Sequence, residues 1–199
     1  QEESLVPIQN SNGQIWSLQE YENTLFVCGD NGITVISPTD SYKINIKGCW
    51  DIKKTRDPNK LIIALYSGFG VVVKDGLRWR FSHPVPDFFY SIRGFLVDRK
   101  EDNTFWSTDI TRHKIYKVSF DDYFSRVVHR KEYKLKNTTF EDNPYIREIE
   151  NSIVVCTKNG VYRYSPISDS FDEFDELNKM LEGNAYYDYL NVDQQNNLW

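Results

Sequence analysis

The sequence predicts an all-β chain built from a repeated four-stranded unit, and three observations predict it. First, a phrase of short apolar strands recurs along the 199 residues, with second-strand anchors at Leu25, Leu61, Thr104, Ile153 and Asn197, spaced by 36, 43, 49 and 44 residues. Second, Asn31-Gly32, Asp75-Gly76 and Asn159-Gly160 interrupt the strands, and such dipeptides supply the positive φ that tight hairpins require. Third, 13 Tyr, 12 Phe and 5 Trp stand against one Met, a bias toward strands. Antiparallel units of about 40 to 50 residues bury their faces only by stacking on one another. The predicted architecture is therefore a β-propeller of about four blades plus the start of a fifth, cut from a larger propeller.

The first blade, residues 14–47, opens at Trp16–Tyr21, continues through Leu25–Ser37 as a hairpin and closes with Ser41–Ile46. The second, 48–87, reads Trp50–Ile52, Leu61–Tyr66, Gly70–Lys74 and Leu77–Phe81, with Ser67-Gly-Phe-Gly70 as the loop between its middle strands. The third, 88–140, reads Tyr90–Ile92, Thr104–Ser107, Lys114–Val118 and Arg126–Val128. The fourth, 143–183, reads Tyr145–Ile149, a hairpin over Ile153–Tyr164 and Ser170–Phe174. An incomplete fifth, 184–199, starts with Tyr187–Asp193 and breaks off at Asn197–Trp199. Leu177, Met180 and Leu181 fall at helical spacing ahead of Gly183, which predicts a short helix over 175–183.

Composition excludes several function classes. A net charge of −5, with basic runs such as Arg126–Lys136 offset by acidic stretches, offers no field for a polyanion; no nucleic acid is expected to bind. No stretch reaches the roughly 18 to 20 apolar residues of a membrane span, and Gln1–Ser11 lacks the pattern of a secretion signal. Cys28, Cys49 and Cys156 are odd in number and irregularly spaced, with three scattered histidines, which argues against a zinc site and a disulfide framework. No cofactor is expected.

Asn159–Phe171 and Asp193–Trp199 resemble the two-component-regulator propeller repeat, in which "G-N-L-W" precedes "G-L-Y-R-Y" and a "D-F" closing strand. Weaker likenesses occur at Asn23–Ile33 and Asp102–Ser107. The resemblance implies a periplasmic sensor region of a Bacteroidetes-type regulator, continued elsewhere by a triple-tyrosine sandwich, a membrane helix and a kinase or DNA-binding output. It also implies anchoring at the inner membrane and leaves room for homodimerisation through parts outside this segment.

In a propeller the first strand of each blade lines the central channel, and the links from fourth to first strand crowd its mouth together with the second-to-third turns. Candidate ligand contacts there are Trp50, Tyr90, Tyr145 and Tyr187, whose flat faces suit a sugar's C–H surface. Trp16 completes an aromatic series of one per blade, which also reads as the repeat's own packing residue. Arg93 and Arg147 follow on predicted first strands, where a charge needs an acid, a ligand or water. Tyr66, Asp109, Arg112 and His113 occupy second-to-third turns. No nucleophile with a base, phosphate-cradling loop or acid pair with a partner is present, so no enzyme is expected. The function this predicts is extracytoplasmic sensing of a glycan-derived or other small ligand, for transcription control. The alternatives are a propeller enzyme such as a lyase, and a protein-interaction propeller.

Overall fold

The computed structural model describes residues 13–109, 111, 114–135, 144–181, 190 and 193. The chain divides into two compact units, Gln1–Pro84 and Val85–Trp199. The first unit holds two antiparallel four-stranded sheets, each a meander in chain order. One comprises β1 (Ile15–Tyr21), β2 (Thr24–Gly29), β3 (Gly32–Ile36) and β4 (Ser41–Ile44); the other comprises β5 (Cys49–Lys54), β6 (Lys60–Leu65), β7 (Gly68–Asp75) and β8 (Arg78–Pro84). Phe26, Cys28, Ile33 and Val35 of the first blade bury against Ile52, Leu61, Ile63 and Val72 of the second, with Trp79 at the edge of the cluster. These side chains alternate along their strands, so each middle strand offers every second residue to the neighbouring blade.

The second unit repeats the plan with β9 (Ile92–Val97), β10 (Thr104–Asp109), β11 (Lys114–Phe120) and β12 (Val127–Tyr133), followed by β13 (Tyr145–Ile149), β14 (Ser152–Thr157), β15 (Gly160–Ser165) and β16 (Ser170–Glu173). Trp106, Ile115 and Tyr133 meet Ile146, Val155, Tyr162 and Phe171 in one cluster. The other face of the fourth blade is covered by the short helix α1 (Asp175–Met180) and by Leu190, which join Val154, Cys156 and Val161 through Leu177. The fold class read from the sequence, all-β with four-stranded antiparallel propeller blades, is the one observed. The start of the fifth blade lies outside the described residues apart from Leu190 and Asp193.

Two elements differ from the sequence reading. The turn in the second blade is Tyr66-Ser67, and Gly68, Phe69 and Gly70 already belong to β7; Gly68 takes φ 131°, so glycine here re-enters the strand. The first strand of the third blade starts at Ile92, so Tyr90 precedes it. Register also corrects the aromatic series. Irregularities let Trp16 stand between Ile15 and Ser17, and Trp50 between Cys49 and Asp51, opposite Gly29–Cys28 and Leu65–Ala64. The same bulge in the third blade carries Arg93, between Ile92 and Gly94. Tyr145 pairs with Cys156 and so matches Ser17, Asp51 and Gly94, one residue further along.

Candidate functional site

The bulges decide what the first unit presents at the end of its blades. An extra residue on one strand bends it and re-aims its side chain, and here the residue is a tryptophan in both blades. The Trp16 and Trp50 ring centroids lie 4.3 Å apart at 44°, and Tyr66 continues the series 4.9 Å from Trp50 at 48°. Asp30, in the β2–β3 turn, anchors the group. Its Oδ1 accepts from the Trp16 indole N–H at 3.1 Å and from the Tyr66 hydroxyl, while that indole also points at the Tyr66 oxygen at 2.8 Å. The Trp50 indole N–H is buried and meets no acceptor among the described residues, and an unmet buried donor costs about 1–3 kcal/mol.

Gly48, in the link between the first two blades, joins both turns to this group. Its N–H donates to the Asp30 carbonyl at 3.0 Å, and its carbonyl accepts from the Tyr66 N–H at 3.4 Å. It adopts φ 64°, and a Cβ there would stand 2.4 Å from the Tyr66 ring. Only glycine lets the phenol lie over the link. Burial, followed by the hydrogen bond to Asp30, pushes the Tyr66 hydroxyl above its ordinary value, so it is a neutral donor throughout the physiological range. The arrangement offers flat apolar faces around one fixed carboxylate, which suits a ligand with C–H surfaces and hydroxyls.

In the second unit the candidates separate. Arg93 and Arg147 meet at Tyr145, with guanidinium carbons 5.7 and 3.8 Å from the ring centroid. The ring lies over Gly94, where a Cβ would come within 3.5 Å of it. Tyr90 stands apart: it stacks on Tyr116 of β11 at 5.1 Å and 4°, and its hydroxyl accepts from Arg130 of β12 at 2.9 Å. It therefore packs on the later strands of its blade. Asp109 is buried at the end of β10, where Oδ1 accepts the Thr111 N–H and hydroxyl at 2.9 and 2.7 Å; it closes its own turn. Arg112, His113 and Tyr187 lie outside the described residues.

Asp30 and Gly48 are the members of the first-unit group that the sequence did not reveal as such. Asp30 precedes Asn31-Gly32 and reads as turn chemistry, and a glycine between strands reads as a link. Among the described residues no cluster of three or more His, Cys, Asp or Glu is placed to hold a metal, and no helix is long and apolar enough to cross a membrane.

No family model matches the chain, and no curated protein matches it. Solved structures do. The extracellular domain of BT4673 from B. thetaiotaomicron, described in one structure as belonging to a one-component system and in another to a hybrid two-component system, superposes with TM-scores of 0.66 and 0.63 at 15% identity. These alignments cover 94% and 83% of this chain but only 28% and 22% of the BT4673 chains. The β-propeller domain of Myceliophteria thermophila Cps50 (Swd1) superposes with a TM-score of 0.63 at 11% identity, over 93% of this chain and 61% of that one. Likeness at such low identity is a likeness of fold, and the fold it shows is the β-propeller.

Proposed function

We propose that this chain is a ligand-sensing, extracytoplasmic propeller segment of a bacterial signalling protein of the two-component-regulator propeller type. It binds a small, glycan-derived ligand on the Trp16–Trp50–Tyr66 faces. The observation that carries the reading is the aromatic group itself: three rings aimed by bulges and a glycine-dependent link around Asp30, with a buried indole donor lacking an acceptor among the described residues. Asp30 supplies acceptors for hydroxyls, and the indoles supply the apolar floor. The repeat phrases at Asn159–Phe171 and the fold shared with the extracellular domain of BT4673 support the signalling role. On this reading the segment is not an enzyme and lies in the periplasm, as part of a longer parent chain anchored in the inner membrane that carries the output domain and any dimer contact. The first strands of the four blades carry no histidine, which disfavours the lyase reading.

A thermal-shift titration with neutral plant and host oligosaccharides tests this, since a ligand bound at 100 times its Kd stabilises the native state by about 2.7 kcal/mol. The expected result is a saturable rise in Tm with at least one sugar, made smaller by Trp50→Ala and by Tyr66→Ala. A rise undiminished by both substitutions, or no rise with any sugar, would refute the assignment.

A further inference from the structure

The second unit holds a cleft of about 380 Å³ at the other end of its blades from the β10–β11 and β14–β15 turns. Its walls come from the turn after β9, the turn before β14 and the start of the turn after β15. We propose that this cleft binds a neutral, polyhydroxylated small molecule of mono- to disaccharide size, as a binding site separate from the Trp16–Trp50–Tyr66 group. The inference rests on the small-ligand reading above and extends it to a second place in the chain.

Size comes first. The volume lies toward the lower end of the roughly 300–1,000 Å³ of small-molecule pockets, so a polymer chain or a protein element does not fit within it. Charge comes next. Three acids, Asp98, Glu101 and Glu148, and three bases, Arg99, Lys100 and Lys117, line the cleft. Lys117 Nζ lies 2.6 Å from Glu101 and 3.3 Å from Asp98, and Arg99 lies 2.7 Å from both Glu148 and Asn151. All three acids are held in these pairs, so a cationic ligand would have to displace Arg99 or Lys117 and leave it facing repulsion or desolvation, while Lys100, exposed at the rim, adds one further positive charge. A neutral one takes hydrogen bonds from paired groups without disturbing the balance.

The wall is also rigid. Asp98, only 7% exposed in its side chain, accepts the Lys100 and Glu101 N–H groups on Oδ1 at 2.8 and 3.0 Å, and the indole N–H of fully buried Trp106 on Oδ2 at 2.7 Å. Lys117 crosses above the same indole, 5.3 Å from its centroid. Donors and acceptors are thus held before any ligand arrives, which lowers the ordering cost of binding. Tyr164, Ile153 and Pro166 give the cleft an apolar side, against which the C–H face of a sugar can lie.

Titrating the ¹⁵N-labelled full chain with cellobiose, maltose, sorbitol, galacturonate and glucosamine tests the proposal through backbone amide shifts. Expected are saturable shifts at Lys100, Glu101, Asn151 and Ser152 with at least one of the first three probes. Binding by a disaccharide alone assigns the site to pyranose rings, and equal binding by sorbitol assigns it to polyols in general. Ser152→Trp, which fills the cleft, is expected to weaken binding at least about tenfold, while Trp50→Ala leaves it unchanged. If Ser152→Trp does not fold, Glu101→Ala, at a side chain 56% exposed, is expected to weaken it several-fold. Shifts confined to the Trp16–Trp50–Tyr66 group, and lost in Trp50→Ala, would overturn this site while supporting the function proposed above. Binding of galacturonate or glucosamine alone, or no saturable shift with any probe, would overturn it as well.

Discussion

At the scale of single residues, Gly48 does more than its place in a link suggests. It takes φ 64°, bonds both neighbouring turns and leaves room for the Tyr66 ring. Gly48→Ala combines a left-handed backbone, costing about 1–3 kcal/mol for a residue with a Cβ, with an approach of 2.4 Å that the ring has to vacate. The substitution is expected to lower the urea midpoint and to weaken the near-ultraviolet dichroism of the Trp16–Trp50–Tyr66 group, even under conditions where the chain stays folded. An unchanged dichroism would show that the ring does not depend on the glycine. Trp50 and Tyr66 were legible as site candidates because large rings beside turns are conspicuous in a sequence. Gly48 and Asp30 were not, because their roles depend on side chains brought from 18 and 36 positions away.

At the scale of elements, the strands that the sequence marks best are those whose ends coincide with turn residues. β13 runs over Tyr145–Ile149 as read, and β15 starts at the glycine of Asn159-Gly160. β9 was misplaced by two residues because Tyr90 looks like a strand-opening aromatic, whereas its ring is taken up by Tyr116 and Arg130. Bulges were illegible for a similar reason: an extra residue exists only relative to the strand opposite, so periodicity within one strand does not disclose it. The helix over 175–180 was legible, but the way it docks was not. Asn178 places its amide against Val161 like a strand partner, accepting that residue's N–H at 2.8 Å and donating to its carbonyl at 3.0 Å. Asn178→Ala removes both bonds at a partly buried position. It is expected to cost about 1–3 kcal/mol and to speed hydrogen exchange at the Val161 amide. Asn178→Asp, which keeps only an acceptor, is expected to fall between Ala and the native residue; exchange at Val161 that is the same in all three chains would show that α1 is held by the apolar contacts of Phe174, Leu177 and Leu181 instead.

At the scale of the whole molecule, the ionisable groups predict a plateau of stability with two different edges. Asp169 is the strongest case on the acid side. It accepts from Lys131, from Tyr133 at 2.7 Å and from Tyr164 at 2.8 Å, and these bonds, led by Lys131, hold its carboxyl well below the usual range. Glu22, paired first with Lys74, and Asp57, bonded first by the Asn59 N–H, are lowered too. For Asp98 burial works upward, but the Lys100 and Glu101 N–H groups and the Trp106 indole outweigh it and the net shift is downward. A lowered carboxyl contributes stability that is present above its unfolded value of about 4 and lost as pH falls through its folded one. On the alkaline side burial raises the Cys156 thiol to about 12, pushes Cys49 well above its ordinary value, and raises the Tyr133, Tyr164 and Tyr42 hydroxyls. Each raised group contributes stability that is complete below its unfolded value, about 8.5 for a thiol and about 10 for a phenol, and that is lost as pH rises toward the folded one. Urea midpoints under reducing conditions are therefore expected to be level between about pH 5 and pH 8, to fall above that as the unfolded thiols ionise, and to fall faster once the unfolded phenols do. In Asp169→Asn the plateau is expected to drop and the acid limb to become shallower, while the alkaline limb keeps its onset at the thiols. An acid limb of undiminished slope in that variant would move the acid sensitivity away from the Lys131–Tyr133–Tyr164 cluster and onto the other lowered carboxyls, Glu22, Asp57, Asp98 and Asp121.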